Sequence, residues 1–256
     1  MLYKYLPYFI FKRLFGDRKK WGLKVNQSDK DSVKWQEDYY LKFYNDNQKG
    51  TIGTVVNHFG FKIMSEVDLS NKVVLEVGPG SIEHLDYNKT RPAQYIIADI
   101  KQDFLDISYK RLQDYGVSNI QTLQVNGLNI PIEDDSIDVL VTFHQLEHIY
   151  ELEDYLQELK RVLKPNGILV GAVPTEGGVA WGLGRFLTSR RYVRKNMRDI
   201  DYDKIICWEH PNFVDKMKRL LNKNFIQIKS LKKPFSFLPF DFNLSWSFIY
   251  RNNKNE

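Results

Sequence analysis

Glu76-Val77-Gly78-Pro79-Gly80 follows an apolar run, and Asp99 closes the next one, 23 positions after Glu76. Glycines at such a place let the backbone turn tightly and approach a ligand without Cβ interference. A carboxylate at the end of the following strand can accept hydrogen bonds from both hydroxyls of a ribose. Glu76, Gly78, Gly80 and Asp99 therefore read as a site for a nucleoside-bearing cofactor. A second constellation, His144-Gln145-Leu146-Glu147-His148, begins where a later apolar run stops. A helix starting there would carry both histidines on one face, and either imidazole can take a proton from a hydroxyl. The same residues spell H-x-x-E-H, a zinc metallopeptidase signature. That signature works inside a long helix, whereas here it directly follows a buried strand, and no metal is expected.

Farther along, Arg185, Arg190, Arg191, Arg194, Lys195 and Arg198 form a dense basic run. Such a run is either a solvated face or a seat for an anionic group such as phosphate, which makes Arg185 and Arg191 candidate substrate contacts.

These residues need a scaffold, and apolar runs of strand length alternate with helical periods from Lys72 onward, the pattern of repeated βα units. VVLEV, YIIAD, IQTLQV, IDVLVTF and GILVGAV read as five buried strands, the last three being Ile120 to Val125, Ile137 to Phe143 and Gly167 to Val173. Leu152, Tyr155, Leu156, Leu159, Val162 and Leu163 repeat with a helical period, and Lys164-Pro165-Asn166-Gly167 supplies its stop. FIQIKSL and LSWSFIY look like an antiparallel pair at a sheet edge. Residues 174–211 break the rhythm with glycines and cations and read as a long functional loop or lid. The domain layout expected is an N-terminal helical extension or cap over residues 1–60, then a Rossmann-like domain over 61–256 that contains the lid.

The 256 residues, 43% hydrophobic and 27% charged, suit one α/β domain with an appendage. A formal charge of +5 is too small for a nucleic-acid signature and leans toward an anionic small molecule or glycan as partner. Cys207 is the only cysteine, so the chain has neither an internal disulfide nor a cysteine-based zinc site, which fits a reducing, cytoplasmic setting. Near the N-terminus Lys4, Pro7, Lys12 and Arg13 interrupt any span close to the ~20 residues a bilayer requires. Tyr3, Leu6, Phe9, Ile10, Leu14 and Phe15 instead make an apolar stripe. Packing of that stripe on the protein body or on a homodimer mate is expected ahead of peripheral membrane contact.

Four stretches in order, VLEVGPGS, YIIADI, VNGLNIPIEDDSIDVLVTF and ELKRVLKPNGILV, make the segment Lys72 to Pro174 resemble the core of class I S-adenosylmethionine-dependent methyltransferases, including small-molecule and sugar methyltransferases. That segment is about two fifths of the chain. The resemblance implies a Rossmann-like α/β fold with a mostly parallel seven-stranded sheet, an antiparallel edge strand and helices on both faces. It implies S-adenosylmethionine as cofactor, with Gly78 and Gly80 framing the methionine part, Asp99 the ribose, and Asn126, Gly127 and Leu128 the adenine. It also ranks His148 first and His144 second as the base, because related sugar methyltransferases carry a base candidate at the position matching His148. His210, in Cys207-Trp208-Glu209-His210-Pro211, falls in a region similar to the acceptor cap of polysaccharide methyltransferases and is a further substrate candidate.

Two positions depart from the family pattern: Ile82 stands where a third glycine is common, implying a short or irregular first helix, and Asn126 stands where aspartate is frequent. A dinucleotide oxidoreductase would want that third glycine and a helix opening onto a pyrophosphate, and this chain offers neither. The function implied is O-methylation of a sugar or sugar-linked phosphate group for surface polysaccharide. The alternatives are a lipid-like or quinone acceptor at the membrane, and a non-catalytic binding protein on the same fold.

Overall fold

The computed structural model describes residues 1–43, 46, 51–125 and 128–254. Its centre is a seven-stranded sheet of order β3-β2-β1-β4-β5-β7-β6. The strands are β1 (Val73–Val77), β2 (Gln94–Asp99), β3 (Ile120–Gln124), β4 (Ile137–Phe143), β5 (Leu163–Pro174), β6 (Phe225–Lys233) and β7 (Ser245–Asn252). Strands β1 to β5 pair in parallel, while β7 is antiparallel to both β5 and β6. The antiparallel strand therefore lies one place in from the edge, and β6 is the edge itself.

The apolar runs of β1, β2, β4 and β5 form strands because both faces of the sheet are covered there, whereas β3, expected as buried, lies at the sheet edge with none of its residues buried. Leu75, Val77, Ile96, Ala98 and Leu140 enter one core cluster, and Val74, Tyr95, Ile97, Val139 and Val141 enter the other, the two-residue alternation of a pleated strand. Helix α7 (Leu152–Val162) buries Leu152, Tyr155, Leu156, Leu159 and Val162 against the first cluster, beside α11 (Val214–Asn224) with Met217, Leu220 and Leu221. Each such side chain, fully buried, contributes about 1.5–3 kcal/mol of transfer free energy. Helix α6 (Gln102–Asp114) covers the other face through Leu105 and Leu112.

Helix α7 stops at Val162, and Leu163, expected as its last apolar residue, opens β5 ahead of Lys164-Pro165-Asn166-Gly167. The turn lies within β5, where the pairing with β4 skips from Leu163 to Ile168.

The remaining helices are α1 (Tyr8–Phe15), α2 (Arg18–Trp21), α3 (Lys30–Lys34), α4 (Tyr40–Phe43), α5 (Thr51–Phe61), α8 (Val179–Leu187), α9 (Ser189–Asn196) and α10 (Tyr202–Glu209). The segment expected as a loop is thus three packed helices. Its glycines mislead because Gly182 serves close packing: a Cβ there would stand 2.7 Å from Phe15 Cε1. Ile205, Ile206, Cys207 and Trp208 of α10 bury themselves with Trp35, Val193 and Met197. The N-terminal stripe packs on the body, where Leu14 and Phe15 meet Phe213 and Tyr3, Leu6 and Ile10 lie against them, while Phe9 stays 61% exposed. Among the described residues no helix is long and apolar enough to cross a membrane.

The sheet order reverses between β1 and β4, so the chain leaves these adjacent strands in opposite directions and opens a crevice beyond their carboxyl ends. The glycine loop emerges from β1 and the histidine segment from β4, which brings both to that crevice.

Candidate functional site

A cavity of about 780 Å³ occupies the crevice, within the range of small-molecule sites. Gly78, Gly80, Asp99, His144, His148, Arg185 and His210 all line it. Gly78 has φ of 64°, and a Cβ there would stand 2.7 Å from Gln145 Cγ, so only glycine lets the loop pass this close to the β4 side. Ile82, where a third glycine is common, takes φ of 52° and leads into a short 3-10 helix, Glu83–Tyr87, in place of a regular first helix. Its side chain is 1% exposed, so burial in the core holds a β-branched residue in the left-handed region.

Asp99 ends β2, one carboxylate oxygen accepting from the backbone N–H of Lys101 at 2.8 Å. Burial raises its pKa, opposed by hydrogen bonds from the Lys101 and Ile100 backbone. Lys101 lies 3.9 Å from the centroid of the Tyr40 ring, so α4 forms part of the wall at this end.

Two expected cofactor contacts lie elsewhere. Glu76 shares the strand face of Val74, away from the cavity lining, where it accepts the Tyr95 hydroxyl at 2.6 Å and lies 3.5 Å from His84 Nε2. The alternation of β1 dictates this: Leu75 and Val77 take one face, so Glu76 must take the other. Burial pushes its pKa well up, against the Tyr95 hydrogen bond, so the carboxyl ties β1 to β2. Leu128 packs on the core cluster of α7, and Val125 and Ile130 line the cavity around it. Asn126 and Gly127 lie outside the described residues.

The histidines do not share an α-helical face. His144 has φ of 53° and its backbone N–H extends the sheet by donating to Ala172 at 2.8 Å. Leu146–His148 is a single 3-10 turn. That turn places Glu147 between the rings, its Oε1 at 3.8 Å from His144 Nδ1 and 4.0 Å from His148 Nε2. Burial lifts the Glu147 carboxyl to about 7, opposed by the charge of His210. Burial and then His210 lower His144 to about 4 and His148 to about 3. Both rings are therefore neutral at physiological pH, and His148 Nδ1 donates to the backbone carbonyl of Glu209 at 2.6 Å.

His210 stands perpendicular to His148 with ring centroids 4.8 Å apart. Its Nδ1 is 3.0 Å from Glu176 Oε2, which also accepts the indole N–H of Trp181. Burial would lower His210, but the hydrogen bond and charge of Glu176, with Glu147 and Glu209, raise it. Burial would raise Glu176, but His210, Arg185 and Arg18 bring it down to about 2. Arg191 lies apart from this cavity, in a shallow surface groove with Arg190, Arg194, Lys195 and Arg198.

The sequence reading missed Glu176, Trp181 and Gln145. Gln145 accepts from Thr142 at 3.2 Å and donates to the Tyr155 hydroxyl at 3.1 Å, fixing the side chain that faces Gly78. A glutamate two residues past the end of β5 was the available signal for Glu176, since that strand also ends at the crevice.

Residues 75–171 match the family model described as a methyltransferase domain. Over these residues the chain carries a methyltransferase domain. Within curated relatives, the Ubiquinone/menaquinone biosynthesis C-methyltransferase UbiE of Pseudomonas savastanoi pv. phaseolicola is 30% identical over 129 residues, 49% of this chain and 50% of that protein. UbiE of Ectopseudomonas mendocina is 32% identical over 104 residues, 40% of this chain and 36% of that protein. The chain thus spans half or less of the length of these relatives. Among solved structures, a SAM dependent methyltransferase from Aquifex aeolicus aligns with a TM-score of 0.54 at 16% identity, covering 83% of this chain and 97% of that one. The N-methyltransferase NodS from Bradyrhizobium japonicum, in complex with S-adenosyl-L-homocysteine, aligns with a TM-score of 0.55 at 11% identity, covering 94% and 98%. At such identities these structures share the fold of the methyltransferase domain.

S-adenosylmethionine is the cofactor that goes with such a domain, and the chain's residues fit it. The β1 loop offers a cradle that a Cβ at Gly78 would close, and the Asp99 carboxylate stands on the cavity wall at the end of β2. The H-x-x-E-H residues form a strand exit and a 3-10 turn, not the long helix a metallopeptidase needs. Among the described residues no group of three His, Cys, Asp or Glu side chains is arranged to hold a metal ion.

Proposed function

We propose that the chain transfers a methyl group from S-adenosylmethionine to a hydroxyl-bearing small molecule, with His148 as the base. The observation that carries this reading is the His148–Glu209 hydrogen bond. A carbonyl only accepts, so Nδ1 holds the proton and Nε2 holds a lone pair in a ring that lines the cavity. S-adenosylmethionine, when bound, supplies a methyl group already activated on a sulfonium. The chain's own part is then alignment and proton removal. Gly78, Gly80 and Asp99 hold the cofactor side, Glu147 packs between His144 and His148, and His148 Nε2 takes the hydroxyl proton. His210, paired to Glu176, contacts the acceptor beside it.

For the acceptor, a sugar or sugar-linked phosphate group of surface polysaccharide is our first reading, supported by the aromatic and imidazole groups of Trp181 and His210 on the cavity wall. A quinone-type ring bearing a hydroxyl is the second, supported by the UbiE relatives and by Phe61 and Phe143 in the same wall. Calorimetry with S-adenosylmethionine, followed by a turnover screen of nucleotide sugars and hydroxylated aromatics, tests the proposal. Tight cofactor binding with turnover of one class assigns the acceptor. Absence of cofactor binding overturns the enzyme reading in favour of a binding protein on the same fold.

A further inference from the structure

Arg185 of α8 lines the cavity and is only 5% exposed. Its Nη2 donates to the carbonyl of Leu14, but Nε and Nη1 are buried with no hydrogen-bond partner. Among the described residues no carboxylate reaches it within ion-pair distance. A guanidinium carries five donors and stays charged, so leaving two of its nitrogens buried and unmatched is costly unless a ligand meets them.

The surroundings have the same sign. Arg18 donates from Nε to the Phe15 carbonyl at 3.2 Å, from Nη2 to the His210 carbonyl at 2.8 Å and from Nη1 to the Pro211 carbonyl at 3.4 Å, all neutral acceptors. Glu176 is the carboxylate on which both arginines act, and it is already engaged by His210 and Trp181. Two guanidiniums, Arg18 and Arg185, thus act on one carboxylate that His210 and Trp181 already engage, leaving the buried nitrogens of Arg185 without an anionic partner. Thr188 and Tyr202 add hydroxyl groups to the same wall.

We propose that Arg185 seats an oxyanion, a carboxylate or a phosphate, carried by the acceptor itself. This rests on the methyl-transfer reading and names its substrate class: a molecule with a hydroxyl for His148 and an acidic group for Arg185. Guanidinium suits both anions, because its planar donors match their oxygens. The cluster of Arg191, Arg194, Lys195 and Arg198 takes no part, since its groove is separate from the cavity.

The test uses the full chain loaded with S-adenosylhomocysteine and two matched pairs of probes, glucose 1-phosphate against glucose and 3-hydroxybenzoate against phenol, with inorganic phosphate as a fifth. Calorimetry or ligand-observed NMR reads binding. The expected result is that one charged probe binds about ten- to a hundredfold tighter than its neutral partner, the worth of a charged hydrogen bond. Which pair shows the preference distinguishes phosphate from carboxylate. Arg185→Gln is expected to erase the preference and Arg185→Lys to keep part of it, with S-adenosylhomocysteine affinity unchanged in both. Equal binding of charged and neutral probes overturns the proposal, as does failure of all three anions to bind, or a preference that survives in Arg185→Gln. Should the variants lose S-adenosylhomocysteine binding through misfolding, the wild-type preference decides alone. Loss of S-adenosylhomocysteine binding by the wild type would instead sink the methyl-transfer reading, and the anion preference would still be measurable.

Discussion

The Nδ1 of His148 stands 2.6 Å from the carbonyl oxygen of Glu209, at the end of α10, so the lid segment fixes the tautomer of a residue on the β4 exit. His148→Ala is therefore expected to lower turnover of a hydroxyl acceptor about 10²–10⁴-fold. Cofactor affinity is expected to stay the same. With its pKa held at about 3, by burial first and His210 second, the ring remains an unprotonated base from neutrality down past pH 5. Steady-state rates for His148→Ala and His144→Ala check this. If His144→Ala abolishes turnover and His148→Ala spares it, the base is the earlier histidine.

Asp99→Ala is expected to weaken cofactor binding by about 1.5–3 kcal/mol, the worth of charge-assisted hydrogen bonds in a partly buried site. Calorimetry with S-adenosylmethionine measures it. An unchanged dissociation constant removes Asp99 from the site.

Glu147 makes stability depend on pH. Its folded pKa of about 7 lies above the ordinary ~4.3 of an unfolded glutamate, so the folded state favours the protonated form. The stabilising contribution is complete below the unfolded value and is lost as pH rises toward 7, by about 4 kcal/mol in all. His144, His148, His210 and Glu176 face the same carboxyl, so the wild-type-minus-variant difference reads the titration of Glu147 together with its coupling to His210. Glu147→Gln is expected to gain on the wild type between pH 4.5 and 7.5 in denaturant unfolding. A difference flat with pH would mean that Glu147 ionises normally.

Methyl transfer is expected to be unchanged by chelators. Among the described residues no group of three His, Cys, Asp or Glu side chains is arranged to hold a metal ion, and His144 and His148 flank a 3-10 turn in place of a long helix. Activity lost in chelator and restored by zinc would revive the H-x-x-E-H motif as a metal site.

What the sequence made legible follows from periodicity. Strands β1, β2, β4 and β5 and helix α7 bury contiguous or helically spaced apolar residues, and the crevice follows from where the strands end. The same alternation contained the direction of Glu76, since Leu75 and Val77 had to face the opposite layer. Two features had no local signal. His144 is held at positive φ by its sheet hydrogen bond to Ala172, a tertiary contact. The α8–α10 segment looked irregular because the fit of Gly182 against Phe15 reads, in one dimension, as a helix breaker.

Helix α1 ends on two carbonyls that accept from arginines, Leu14 from Arg185 and Phe15 from Arg18, and Arg18 continues to His210. The first turns of the chain are thereby mortared into the wall of the cavity, although more than fifty residues separate them from the sheet. On the proposed reading, cofactor capture belongs to the ends of β1 and β2, and acceptor choice to a joint between residues 1–18 and the α8–α10 segment. Trimming or tagging the N-terminus for convenience would alter which molecules the protein accepts, while its hold on the cofactor stayed as it was.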